Sequence, residues 1–373
     1  RRLRTAPDGG FALRAPAVVD GLYPGTRDLI FATSMTVVRV LGHDFSAHVL
    51  DVGPKVETYA GVAATPDGRT LWLTSWEGPP HLRGLTAAEG DWIAGSATAG
   101  RALDPRPWTP IAQIAGTTGS WVRPRLGQLD GDPAPDVVVT IIDRERLIAI
   151  DAESGECRWS RGVSSSGTRA RRGPSLVDLD GDGDHEVLTA APPGALEEGD
   201  SCVELGATTV PESAPDLVPE SGPLDLLALE AADGRIRWRV AGAGSTTSPP
   251  VEVADDHGRW LVSASPERGL FAVSLDGALR WRAPDAADIG TPIAVGDING
   301  DDHPDVIYGT TTGTLRVHDA ATGALRWSWS PPTPTPQEAP PVLADLDGDG
   351  PQEILLATGE GLLFALDGMF LAR

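Results

Sequence analysis

Short apolar runs alternate with polar, glycine-rich turns along most of this chain. Between Pro174 and Trp238, Ser175-Leu176-Val177 precedes an acidic loop, and Val187-Leu188-Thr189-Ala190, Leu226-Leu227-Ala228-Leu229 and Ile236-Arg237-Trp238 follow it. Runs of this length, separated by turns such as Asp233-Gly234, predict four short strands in succession. The same order returns after Pro124, Pro250, Pro292 and Pro341, so the five opening prolines are spaced by 50, 76, 42 and 49 residues. Four units close on a tryptophan within Gly-x-x-Arg-Trp, at 159, 238, 281 and 327, which lies 35, 64, 31 and 35 residues beyond the opening proline. The long unit contains a proline- and acid-rich stretch, Pro192 to Pro223, which reads as an insertion. A unit of about 40–50 residues with four strands is a propeller blade.

The N-terminal third is a weaker copy. Leu29-Ile30-Phe31-Ala32 and Val37-Val38-Arg39-Val40 read as strands of one unit, and a Pro66-Asp67-Gly68 turn marks another. Together with the five clear units this predicts an all-β, single-domain β-propeller of seven four-stranded blades, with six or eight also compatible. The approximate blades are 16–55, 61–100, 124–160, 174–240 (insertion 192–223), 250–283, 292–330 and 341–373. The early run Asp8 to Leu13 is a candidate closing strand beside Phe364 to Leu371. Composition agrees: 44 glycines and 33 prolines in 373 residues would break a helical bundle.

The Asp-x-Asp-Gly-Asp-Gly loops resemble those of integrin-type FG-GAP and VCBS propeller repeats. The closing runs Ala149 to Trp159 and Val317 to Trp327 resemble the tryptophan motif of quinoprotein-type, PQQ-like propellers. The resemblance covers residues 120–373 well and the first 120 poorly. It implies the fold; it implies function only weakly, because propellers host many unrelated activities.

The acidic loops carry the strongest chemistry. Calcium takes six to eight oxygens from carboxylates and carbonyls on a flexible loop. Acids at positions 1, 3, 5 and 9, with the carbonyl of position 7, supply them. Three loops fit: Asp178, Asp180, Asp182 and Glu186 with the carbonyl of Asp184; Asp297, Asn299, Asp301 and Asp305 with that of His303; and Asp345, Asp347, Asp349 and Glu353 with that of Pro351. In the second, Asp302 replaces the usual glycine at position 6. A fourth loop, Gln128, Asp130, Asp132 and Asp136, has an amide at position 1 and should bind more weakly or not at all. The first unit keeps Asp20 and Asp28, at positions 1 and 9, as a vestige, and the Pro250 unit has Asp255-Asp256-His257-Gly258 instead of a loop. About three calcium ions are expected.

A formal charge of −23 disfavours nucleic acid and anionic membranes as partners. No apolar run reaches the roughly 18 residues of a membrane helix. The start, Arg1-Arg2-Leu3-Arg4, shows no signal-peptide pattern. Cys157 in one blade's outer strand and Cys202 in the next blade's insertion are expected to form a disulfide, in keeping with an oxidising, calcium-rich, extracytoplasmic compartment: secreted, cell-surface or periplasmic. No nucleophile–base motif, phosphate loop or paired-histidine zinc spacing is present. The expectation is therefore a non-catalytic scaffold binding protein or glycan, without a quinone. Two enzyme alternatives stand beside it. A quinoprotein often shows an adjacent Cys-Cys pair, whereas these cysteines are 45 apart. A polysaccharide lyase needs a basic residue with a poised Tyr, His or Lys, and the chain offers only Lys55 and three tyrosines. An outer-membrane assembly lipoprotein shares the tryptophan motif but lacks acidic loops. The closing tryptophans are expected to pack between blades. Trp76, Trp92, Trp108 and Trp329 lie off the repeat phase, where they either meet a glycan or partner or cover the core. The cluster Arg169, Arg171 and Arg172, Trp108 and the insertion are the candidate partner contacts, on the face opposite the calcium loops.

Overall fold

A computed structural model describes residues 17–20, 27–32, 37–40, 47–50, 58–65, 67–77, 82–87, 102–103, 108–114, 124–132, 134–141, 146–162, 173–193, 224–244, 248–265, 268–283, 286, 288–332, 340–344, 351–357 and 363–366. Every named element among them is a strand. The first sheet contains β1 (Ala17–Asp20), β2 (Arg27–Ala32), β3 (Val37–Val40) and β4 (Ala47–Leu50). The second begins with β5 (Thr58–Ala64), β6 (Thr70–Glu77) and β7 (Leu82–Ala87). Then β8 (Ala102–Leu103) returns to pair in parallel with β4, and β9 (Trp108–Ile114) completes the second sheet beside β7. The third sheet is β10 (Arg125–Gly127), β11 (Asp136–Ile141), β12 (Arg146–Asp151) and β13 (Cys157–Gly162). The fourth is β14 (Ser175–Val177), β15 (Glu186–Ala191), β16 (Asp225–Leu229) and β17 (Ile236–Val240). The fifth is β18 (Ser248–Asp255), β19 (Gly258–Ser265), β20 (Gly269–Val273) and β21 (Leu279–Ala283). The sixth is β22 (Ala294–Gly296), β23 (Asp305–Gly309), β24 (Leu315–Asp319) and β25 (Leu325–Trp329). The seventh holds β26 (Val342–Ala344), β27 (Glu353–Ala357) and β28 (Leu363–Leu366). The candidate closing strand at 8–13 lies outside the described residues.

Within each sheet the consecutive strands form an antiparallel meander, as the short runs and glycine turns dictate. The core lies between successive sheets. Trp159 and Val138 of the third pack with Val187 and Leu227 of the fourth. Leu226 and Leu188 of the fourth face Phe271 and Leu261 of the fifth. Val262 and Trp260 of the fifth meet Tyr308 and Val306 of the sixth. Ile307 and Val317 of the sixth meet Ile354 and Leu356 of the seventh. A propeller follows from this packing, because each sheet buries both faces only when it has a neighbour on each side.

One expected boundary moves. The second unit was expected to close at residue 100, with Trp108 in a long connection. Instead Trp108 opens a strand, and the register Ala87↔Trp108 places it beside the end of β7. The polar stretch before it hides this strand, whereas Trp108-Thr109-Pro110-Ile111-Ala112 carries the β-forming side chains.

Three closing tryptophans seat their sheets on the next, from the third sheet to the sixth. Trp159 Nε1 donates to the carbonyl of Ala231 at 2.8 Å, Trp238 to Leu275 at 2.9 Å, and Trp281 to Ala320 at 3.1 Å. Each ring covers a glycine of the following sheet, Gly234, Gly277 or Gly323, with φ of +69°, +83° and +75°. A Cβ on Gly234 would lie 2.7 Å from Trp159 Cε3, in a conformation that L side chains rarely adopt. Gly234→Ala should therefore cost about 3 kcal/mol from strain and overpacking combined. Urea unfolding measures it; a loss below about 1 kcal/mol would show that the joint yields.

Candidate metal sites on the loop side

In the third, fourth and sixth sheets, the loop between the first two strands is the acidic one. In the loop 178–186, Asp178 accepts the Gly181 N–H on one oxygen at 2.6 Å and the Gly183 N–H on the other at 3.2 Å. In the loop 297–305, Asp297 accepts Gly300 at 2.7 Å and Asp302 at 2.9 Å in the same way. The position-1 carboxylate thus curls the loop, and the position-9 acid, Glu186, ties it down by accepting Leu179 N–H at 2.7 Å. Carboxylate oxygens of Asp178, Asp180 and Asp182 come within 4.8 Å of one another. The glycine missing at position 6 of the sixth-sheet loop does not prevent the curl: Asp302 takes φ +62°. It is the only non-glycine residue with positive φ among the described residues. Asp302→Gly should stabilise the protein by about 0.5–1 kcal/mol by releasing that strain. A denaturant midpoint equal to or below the parent's would assign Asp302 a favourable contact instead.

Sequence reasoning missed the arginine before each closing tryptophan. Opposite Ala149 and Ile150 of β12 stand Trp159 and Cys157, so Arg158 is the extra residue of a β-bulge. Arg237, Arg280 and Arg326 occupy the same bulge in the next three sheets. A bulge re-aims a side chain, and here it turns the guanidinium towards the acidic loop of its own sheet. Arg158 pairs with Asp130 and Asp136 and reaches Asp132 at 3.4 Å and Asp151 at 3.1 Å. Arg237 meets Asp180 at 2.8 Å, Glu230 at 3.3 Å and Glu186 at 3.7 Å. Arg326 meets Asp319 at 2.6 Å and Asp301 at 3.0 Å. In the fifth sheet, which has no acidic loop, Arg280 lies over the Trp260 ring at 4.3 Å.

These guanidiniums leave part of the carboxylates' hydrogen-bonding capacity unmet. Asp305 is fully buried, and neither of its oxygens accepts a hydrogen bond, although Arg326 Nε stands 2.9 Å from one. Burial pushes its carboxyl up to about 7, with Arg326 opposing and Asp301, Asp319 and Asp297 adding to the rise. Burial likewise lifts Asp136 to about 6 against the pull of Arg158, and raises Glu186. An unsatisfied buried carboxylate in an oxygen-rich loop fits a hard divalent cation. The residues present therefore suit calcium.

Neighbouring loops are joined. His185 N–H donates to the Gln128 carbonyl at 2.6 Å, and Gln352 N–H to the Asp297 carbonyl at 3.0 Å. In the vestigial loop of the first sheet, Asp28 is fully buried and accepts Arg39 Nε at 2.8 Å, while Arg39 also donates to the Asp20 carbonyl at 2.9 Å. Of the third predicted loop, Pro351 and Glu353 are described; Asp345, Asp347 and Asp349 lie outside the described residues, as do Cys202, Trp92, Arg169, Arg171 and Arg172. Trp329 packs edge-on against Phe364 at 5.2 Å, so it covers the joint to the seventh sheet.

The class this architecture defines is the β-propeller. Within it, residues 297–356 match the FG-GAP-like repeat family, from the sixth-sheet loop into the second strand of the seventh sheet. A crystal structure of BamB from Moraxella catarrhalis is similar, with a TM-score of 0.53 at 13% identity over 96% of this chain and 85% of that one. BBS1N, solved in complex with ARL6DN and soaked with lead, gives a TM-score of 0.50 at 12% identity over 95% of this chain and 91% of that one. At such identities the likeness concerns the fold alone. Among curated proteins, none matches this sequence. No helix among the described residues is long and apolar enough to cross a membrane.

Proposed function

We propose that this propeller is a calcium-stabilised extracytoplasmic scaffold that binds a protein or glycan and performs no catalysis of its own. The observation that carries the reading is the pair of curled acidic loops, 178–186 and 297–305, with the buried, unsatisfied Asp305 at the base of one. Asp178, Asp180, Asp182, Glu186 and the Asp184 carbonyl would hold one ion. Asp297, Asn299, Asp301, Asp305 and the His303 carbonyl would hold another, and the loop 345–353 a third. Calcium supplies charge neutralisation and loop rigidity there, and no chemistry of bond making. Support for a protein partner comes from BBS1N, a chain of the same fold seen with ARL6DN.

The connectivity supports one choice of partner face. The acidic loops and the start of β9 lie at one end of the strands, and the surface proposed here is the other end. The connection carrying Arg169, Arg171 and Arg172 runs from β13 to β14, and the insertion runs from β15 to β16, both at the other end. Long connections free of structural duty are where binding residues concentrate. A Cys157–Cys202 disulfide would tether that insertion to the preceding sheet, and thiol labelling of protein from its native compartment checks it.

Calorimetric titration of chelator-stripped protein tests the metal reading. Two to three equivalents of calcium are expected, with Asp180→Ala and Asp301→Ala each removing one; an absence of binding heat and of bound calcium by elemental analysis would sink it. A glycan array and a pull-down, repeated on a variant lacking 194–221 with the three arginines replaced by alanine, test the face. Binding retained in full by that variant would discard the proposed surface.

A further inference from the structure

A second cluster of metal-ligating side chains lies at the joint of the fifth and sixth sheets, and the acidic-loop pattern uses none of these side chains. The tight β18–β19 turn presents Asp255, Asp256 and His257, and the loop before β23 presents His303. One ligand atom from each of the four comes within 4.8 Å of all the others. His257 Nδ1 lies 2.6 Å from Asp256 Oδ1 and 3.4 Å from Asp255 Oδ2. His303 Nδ1 lies 3.9 Å from Asp255 Oδ2 and 4.0 Å from Asp256 Oδ1. The two rings are tilted, with centroids 5.8 Å apart.

We propose that Asp255, Asp256, His257 and His303 bind a transition-metal dication, zinc by chemical fit, and that this ion clamps the fifth sheet to the sixth. The independent pointer is Asp255. Its side chain is 1% exposed. One oxygen accepts the His257 N–H at 2.7 Å, while Oδ2, facing both imidazoles, accepts no hydrogen bond. A buried carboxylate oxygen left bare is costly unless a cation meets it. A tetrahedral zinc with bonds of about 2.1 Å keeps its ligand atoms about 3.4 Å apart, within the range of the separations here. Two imidazoles with two carboxylates suit zinc or its neighbours in the transition series, whereas calcium takes oxygen alone. The site therefore does not depend on the calcium reading.

The location gives the ion a purpose. At two other joints a loop N–H, from His185 or Gln352, donates to the preceding loop's carbonyl. In the sixth sheet the equivalent residue is Pro304, which has no N–H to give. A metal held by His303 from one side and by Asp255 and His257 from the other supplies the missing cross-link.

Cobalt(II) titration of chelator-washed protein in millimolar calcium tests this, because calcium fills the oxygen sites and cobalt reports its geometry in the visible spectrum. One equivalent should bind with the intense bands of a tetrahedral ion and be displaced by zinc. His257→Ala and His303→Ala should each weaken binding at least tenfold. Both side chains are well exposed, at 65% and 43%, so the variants should fold. His303→Ala keeps its backbone carbonyl, so the calcium response remains as an internal control. No bound cobalt, an octahedral spectrum, or unchanged affinity in His303→Ala would overturn the proposal.

Discussion

Excess chelator should lower the melting midpoint of the calcium-saturated protein by about 10 °C. A site filled at a hundredfold excess over its dissociation constant contributes about 2.7 kcal/mol, so two or three sites give about 5–8 kcal/mol. For a chain of this length, each kcal/mol moves the midpoint by about 1–2 °C. The structure contains the rival account within itself. Arg237 and Arg326 already lie against the loop carboxylates, and if they neutralise them alone, chelation changes nothing. An unaltered midpoint would decide for the arginines. The loop 345–353 extends the test: Asp347→Ala should lower the midpoint in calcium and leave it unchanged in chelator.

The second large effect is expected far from any proposed calcium ligand. Arg39 and Asp28 form a buried pair, 1% and 0% exposed. Arg39→Met removes one half of this buried pair while its carboxylate stays, and should cost about 3–5 kcal/mol. The double variant Arg39→Met, Asp28→Leu removes both halves and should recover most of that loss. Chemical denaturation measures both. A single variant within about 1 kcal/mol of the parent would show that Asp28 finds another partner or takes up a proton.

The repeat was legible because it is written locally. Opening prolines, Asp-Gly turns and Gly-x-x-Arg-Trp runs each specify a backbone event within a few residues, and the strands fall where those runs are. The curled loops were legible for the same reason, down to the position-6 residue, where Asp302 accepts the glycine conformation. The arginines were not, because strict strand alternation separates Arg158 from Trp159 by a face, and only the bulge brings the guanidinium to the loop. A bulge recurring four times leaves no composition mark; the signal available was the invariant Arg ahead of each Trp within this one chain. The Asp255–His303 cluster joins residues 48 positions apart in different units, and only packing reveals it. Trp108 was misplaced because a long polar approach resembles a connection.

The tryptophan-on-glycine joint, repeated at the three seams from the third sheet to the sixth, has a direction: a unit extends an aromatic ring forward and offers a bare backbone patch backward. Any unit copied in tandem would arrive with both halves of its seam ready, a ring for the follower and a seat for the ring ahead. Such a chain can lengthen by duplication without first inventing a new contact. A unit lost from the middle would let its two former neighbours meet through matching halves. The joint works like a standard coupling, and it allows the loops on either end of the strands to diverge while the assembly rule stays the same.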